Sequence, residues 1–307
     1  MRNNIIKFSV LVFVIFISAC KTDKSNKKGD DSSVKQSFYL GQKPPGLTPE
    51  VFAPGLVSLN GRFESTILFS PDLKELYFDA KYEDEASQIY FSKLVNGTWT
   101  PIKKANLTKG NKREEMHPFA SHDGKRIYFM ASDSIFLDER IWYVNRLENS
   151  WSDAIKLDSP VYDDMVFFPN QSKNGGLYYF SLSKFKTYYT PDIDGEFIEP
   201  QEVEIEFGHH AFISPNEDYL LVTARSNEEE NRKDNHIYAY FSNQDGTWSN
   251  PINLGTTVNS NFYEKTPSIS PDGKYLFFGR DERDIEPGLS DIYWVSTEVI
   301  EKLRLKQ

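Results

Sequence analysis

The chain has 307 residues, 15% of them aromatic, and carries a net charge of −10, with 35 Lys and Arg against 45 Asp and Glu. That balance, with an isoelectric point near 5.1, argues against a nucleic-acid partner, because phosphate binding needs clustered cations. The 17 Tyr and 23 Phe suit strands, whose half-buried faces favour aromatic side chains.

The first element in chain order reads as a processing signal over residues 1–19. It has basic Arg2 and Lys7, the apolar run Phe8 to Ile17, then Ser18-Ala19. The run is too short to span a bilayer comfortably. Small residues directly before Cys20, the single cysteine of the chain, resemble the bacterial lipobox, in which cleavage precedes a cysteine that is then lipidated. The resemblance implies a bacterial lipoprotein held to the membrane through Cys20. Lys21 follows where an aspartate would resemble an inner-membrane retention signal, so the expected location is the outer membrane, facing the periplasm or the surface. The rest of 20–37 is polar and charged without a periodic apolar pattern and reads as a flexible tether. The folded body is expected over 38–307.

That body is built on an internal repeat. FESTILFSPDLKELYFDA starts at Phe63, EEMHPFASHDGKRIYFMA at Glu114, VFFPNQSKNGGLYYFSLS at Val166, GHHAFISPNEDYLLVTAR at Gly208 and YEKTPSISPDGKYLFFGR at Tyr263. Each copy is an apolar run, a Ser-Pro-Asp-Gly type turn and a second run, which predicts a hairpin. Four copies are followed by a second hairpin, starting at Ile89, Ile141, Tyr188 and Ile237; Trp99, Trp151, Phe197 and Trp248 open its return strand. Two hairpins in fixed order, repeating every 45 to 55 residues or about that, predict the four-stranded blade of a β-propeller. After Asp291 the chain turns into EVIEKLRLKQ, a short helix in place of the last outer strand. The segment Pro49 to Leu59 stands where that strand is missing, and it is expected to complete the last blade and close the ring.

The Ser-Pro-Asp-Gly hairpin followed by an Ile-Tyr-aromatic strand resembles the TolB-type, WD-repeat-like β-propeller family over nearly the whole folded body. The resemblance implies an all-β single propeller of four-stranded antiparallel blades. The repeats count five blades; six, common in the family, is the alternative.

Topology selects the face for a site. The tight turns share one end of the blades, while the long loops from Lys81, Ser132, Arg225 and Arg280 lie at the other. At that end, repeat-matched positions place Glu64, Glu115 and Glu264 in one row, and Thr66, His117, Phe168, His210 and Thr266 in the next, with His209 alongside. Clustered carboxylate and imidazole groups suit a divalent metal or general acid–base chemistry. Recurrence of the glutamates favours a scaffold role, capping the entry to each strand, so more of the functional weight falls on His117, His209 and His210. No nucleophile elbow, phosphate loop or dinucleotide fingerprint is present, and no cofactor is implied beyond a possible divalent metal.

The first expectation is a non-catalytic binding or scaffold module whose loop face meets an envelope protein, a peptide or a glycan. A carbohydrate-active hydrolase or lyase using the acidic and His residues at the channel mouth is the alternative. A closed ring hides its own edges, so a monomer is expected.

Overall fold

The computed structural model describes residues 38–134, 138–148, 150–157, 165–225, 235–281 and 289–305. The signal and tether, Cys20, and the centres of the loops after Ser132, Arg225 and Asp281 lie outside the described residues.

The repeats fold as read, into four-stranded antiparallel units. The first contains Phe63–Phe69, Glu75–Lys81, Gln88–Val95 and Lys103–Lys104. The second contains Glu114–Ala120, Arg126–Ser132, Arg140–Asn145 and Ile155–Lys156. The third contains Val166–Gln171, Leu177–Ser181, Lys186–Thr190 and Gln201–Glu202. The fourth contains His209–Ile213, Tyr219–Arg225, Asn235–Phe241 and Ile252–Asn253. The last unit has Tyr263–Ile269, Tyr275–Asp281 and Ser290–Ser296. Its fourth strand comes from the other end of the chain: Glu50 and Val51 pair antiparallel with Trp294 and Tyr293. A parallel bridge from Phe63 to Ser290 also joins the first and last units. Helix α1, Glu298–Arg304, follows and buries Val299 and Ile300.

Turn chemistry explains the hairpins. Ser70, Ser121, Ser214 and Ser270 each donate a hydroxyl hydrogen bond to a following aspartate, namely Asp72, Asp123, Asp218 and Asp272. The amide three residues after each serine bonds its carbonyl. The residue donating that amide has positive φ, and it is Gly124 and Gly273 in two turns but Leu73 and Glu217 in two others. In the outer hairpin of the first unit, Asn96 (φ 50) and Gly97 (φ 77) are both left-handed, as a type I′ turn requires.

The inner strands of successive units lie side by side, and the inner strand of the last lies beside that of the first. Between the sheets the core is aromatic. Tyr39, Phe52, Phe69, Phe277 and Trp294 fill the seam between the last unit and the first. Trp151 of the second unit stands edge-on to Phe91 of the first at 4.7 Å. The outer-strand tryptophans thus serve sheet packing.

Candidate functional site at the mouth of the inner strands

Every inner strand is broken at the same place. Its register shifts between Glu64 and Ile67, Met116 and Phe119, Phe167 and Asn170, His209 and Phe212, and Lys265 and Ser268. At the break His117, Phe168, His210 and Thr266 have φ of 51, 54, 50 and 47, a left-handed conformation that costs about 1–2 kcal/mol for a residue with a Cβ. Pro118, Pro169 and Pro267 follow three of these four positions. A proline gives no amide to a ladder, so a β-bulge is the form in which an inner strand can hold one.

The bulges bring the repeat-matched side chains together. Thr266 donates its hydroxyl to Ser65 O at 2.5 Å. Thr66 Oγ1 lies 2.8 Å from His117 Nδ1. The ring of Phe168 stands 5.6 Å from that of His117 and 5.5 Å from that of His210. His117 and His210 are 5.9 Å apart, and His209 is 4.6 Å from His210. The three histidines named from the sequence are therefore neighbours at one cavity of about 440 Å³.

The glutamates face elsewhere. Glu64 accepts from Arg62 Nε at 2.5 Å and from Leu59 N. Glu115 accepts from Leu107 N and from the amide and hydroxyl of Thr108. Glu264 accepts from the amide and hydroxyl of Ser260 and from Arg280 Nε. All three hold the loop that precedes their own strand. Arg62 and Arg280 repeat one another, each tying its glutamate to a loop carbonyl, Val57 O and Val258 O respectively. Burial pushes the Glu64 and Glu264 carboxyls up, against the pull of these arginines.

Two residues of the cavity escaped the sequence reading: Asp79 and Lys265. Asp79 is buried on the second strand of the first unit, where the other units carry Met130, Phe180, Thr223 and Gly279. A lone acid in an apolar run was the available signal. Its Oδ1 accepts the His117 amide at 3.2 Å. Burial pushes its carboxyl up to about 7, against hydrogen bonds from His117 and Thr66 and the charge of Lys265. The Lys265 ammonium lies 3.5 Å from Asp281 Oδ2 and 3.5 Å from the centre of the Phe63 ring. Its stem runs over Gly279, where a Cβ would come 3.0 Å from Cε.

Burial also sets the state of the imidazoles. It holds His117 down at about 3, with help from Lys265, and His209 at about 4. His210 is held well below its usual value by burial, His209, His117 and Lys265. All three are neutral at neutral pH. The Thr66 hydroxyl has one proton. Given to the Asp79 carboxylate, it leaves Oγ1 to accept Nδ1–H from His117, so that Nε2 of His117 carries the lone pair. Nδ1 of His210 is shut away from solvent and has no hydrogen-bond partner. Among the described residues, no group of three or more His, Cys, Asp and Glu side chains is placed to hold a metal ion, and no helix is long and apolar enough to cross a membrane.

No protein-family model matches the sequence, and neither does any curated protein. Solved structures do match in shape. The catalytic domain of the GH62 α-L-arabinofuranosidase of Coprinopsis cinerea is 10% identical with a TM-score of 0.52, over 83% of this chain and 98% of that one. TolB from Acinetobacter baumannii is 15% identical with a TM-score of 0.48, over 76% of this chain. The present chain spans 57% of the length of that TolB chain. A gluconolactonase of Xanthomonas campestris is 11% identical with a TM-score of 0.48, over 75% of this chain and 71% of that one. At such identities the likeness is one of fold and carries no activity. Set beside the repeated four-stranded antiparallel units, the likeness to the arabinofuranosidase domain supports a β-propeller fold.

Proposed function

We propose that the chain is a five-bladed propeller closed by Glu50–Val51, held to the outer membrane through Cys20, and that it works as a non-catalytic binding module. Its mouth, at the loop end of the inner strands, receives part of an envelope partner. The observation that carries this reading is the fate of Glu64, Glu115 and Glu264. Each accepts hydrogen bonds from its own preceding loop, which leaves no facing carboxylate pair from that row for glycoside hydrolysis. What remains at the mouth is a cavity with mostly carbon walls, the usual form of a ligand site. Closure is supported by the pairing of Glu50 and Val51 with the last unit. Five blades are supported by the five repeats.

One observation favours the alternative. Asp79, held at about 7, and the neutral His117 beside it are groups that a hydrolase or lyase could use as acid and base. The two readings separate by photo-crosslinking in the native envelope. A photoreactive residue in place of Phe185, which is 70% exposed and lines the mouth cavity, should yield a discrete adduct. One in place of Lys125, exposed near the tight turns, should not. No adduct from the mouth, together with glycan cleavage that disappears in Asp79→Asn, would replace binding by catalysis.

A further inference from the structure

The position just before each left-handed residue brings one side chain per unit to the mouth cavity: Ser65, Met116, Phe167, His209 and Lys265. Four are neutral at neutral pH, His209 because burial holds it down at about 4. The fifth is a lysine, and a scaffold role would repeat from unit to unit where this charge does not. The fold makes room for it: its stem runs over Gly279, where a Cβ would come 3.0 Å from Cε, and its ammonium lies 3.5 Å from the centre of the Phe63 ring. Lys81 lines the same cavity, is partly exposed, and has its ammonium 5.7 Å from the centre of that ring.

These charges are not cancelled inside the cavity. Its lining has two cations, Lys81 and Lys265, and one acid, Asp79, whose carboxyl burial pushes up to about 7. Asp281 lies 3.5 Å from Lys265 and Glu114 feels the charge of Lys81, but among the described residues neither lines the cavity. The Lys265 charge reaches the floor. After burial it is what lowers His117, and it adds to burial and the neighbouring imidazoles in lowering His210. The space is therefore positive, in a chain whose net charge is −10.

The walls add a second demand. Phe63, Met116, Phe167, Phe180, Leu182 and Phe185 present carbon around a volume of about 440 Å³, within the range of about 300–1,000 Å³ seen for small-molecule sites. A sugar brings several hydroxyls that such walls leave unbonded. An organic cation suits the aromatic rings and is repelled by the two lysines. A doubly charged phosphate head carries more charge than the cavity's excess can balance. We infer that the cavity binds a free apolar monocarboxylate, its hydrocarbon body against the phenylalanines and its head beside Lys265 and Lys81. A carboxylate entering a dry site keeps its charge only where a cation replaces its hydration, and the two ammoniums supply that. A peptide C-terminus would bring main-chain amides against the same carbon walls, so the acid is a free molecule.

This inference rests on the reading of the mouth as a binding site and adds a small ligand beneath the partner. Calorimetry on the full chain at pH 6 tests it with octanoate, 1-octanol and octylamine, three ligands with one hydrocarbon body and different heads. The expected result is saturable one-site binding of octanoate, tighter than 1-octanol by about ten-fold or more, with octylamine weakest. Lys265→Met keeps a stem over Gly279 and removes the charge, so it should bring octanoate to the level of 1-octanol and leave 1-octanol unchanged. Should Lys265→Met fail to fold, Lys81→Met, at a partly exposed position, should weaken octanoate several-fold at unchanged melting temperature. No binding of octanoate, 1-octanol or octylamine binding as tightly, or an octanoate affinity that neither substitution lowers, overturns the inference. A crosslink from position 185 that persists in that case leaves the binding reading standing with another ligand.

Discussion

Thr66 Oγ1 lies 2.8 Å from Nδ1 of His117, and the two residues hold the same repeat position in adjacent units. The contact joins two inner strands through side chains that each strand's bulge turns inward, and Asp79 accepts hydrogen bonds from both residues. Thr66→Val keeps the shape and removes the hydroxyl, leaving Nδ1 of His117 buried without a partner and taking a donor from Asp79. We expect a loss of about 1–3 kcal/mol in urea unfolding. Thr66→Ser should recover most of it, and the ¹⁵N shifts of the His117 ring should move in the valine variant alone.

Asp79 and the histidines give opposite pH dependences. The Asp79 carboxyl rises from near 3.9 in the unfolded chain to about 7 in the fold. Its contribution is therefore full below about pH 4 and is lost as the pH rises through about 7. Asp79→Asn should gain on the wild type between pH 4 and 7, by an amount on the order of a few kcal/mol, read from paired urea titrations across that window.

For His209 the sign reverses, because burial lowers it to about 4 from near 6.5 when unfolded. The unfolded chain takes up that proton first, so stability falls as the pH drops from about 6.5 to about 4. His209→Gln should therefore stand better against the wild type at pH 4.5 than at pH 7.5. Equal differences at the two pH values would mean that His209 is as easily protonated in the fold as in water.

The blades were legible in the sequence because their turns are chemically constrained. A serine and a left-handed residue three positions on recur at fixed spacing, with an aspartate two positions after the serine in three turns and four after it in another, and the apolar runs between them have strand length. The N-terminal strand was legible because the last repeat ends in a helix. Sequence also placed His117, His209 and His210 in adjoining rows, and they are neighbours. The bulges themselves went unread, although Pro118, Pro169 and Pro267 in central strands mark them. Asp79 and Lys265 went unread for another reason. A repeat alignment brings out what the units share, and each of these residues acts through what its own unit does differently: an acid where others are mostly apolar, and a lysine made possible by the missing Cβ of Gly279.

Glycine at two positions makes a further test. At Gly208, φ is +121 and a Cβ would sit 2.5 Å from Cγ2 and 2.6 Å from Cβ of Val222. Val222 is fully buried and β-branched, so it has little room to turn away. Gly208→Ala should cost about 3 kcal/mol or more through strain and overpacking together. At Gly279 the Cβ would meet a lysine stem and Ser65 O, both at 3.0 Å, with no backbone strain to add. Gly279→Ala should cost about 1–2 kcal/mol and shift Lys265 away from Phe63. Melting curves of the two variants side by side should keep that order.

Closure depends on whether the N-terminal segment belongs to the core or rests on it. Phe52 follows the paired Val51 directly, is fully buried, and stands 5.1 Å from Trp294 and 5.3 Å from Phe277 of the last unit. It also stands 6.0 Å from Phe69 of the first unit, so one side chain bridges the two ends of the repeat array. If the strand closes a ring, Phe52→Ala opens a cavity inside a packed seam and should cost about 3–5 kcal/mol. The loss should appear in a single cooperative transition that Trp294 reports by fluorescence. If the segment merely lies against an open array, the loss should be below about 1 kcal/mol, and the first and last units should unfold in separate steps. A ring has no terminal unit to fray, so cooperativity together with the size of the loss distinguishes the two architectures.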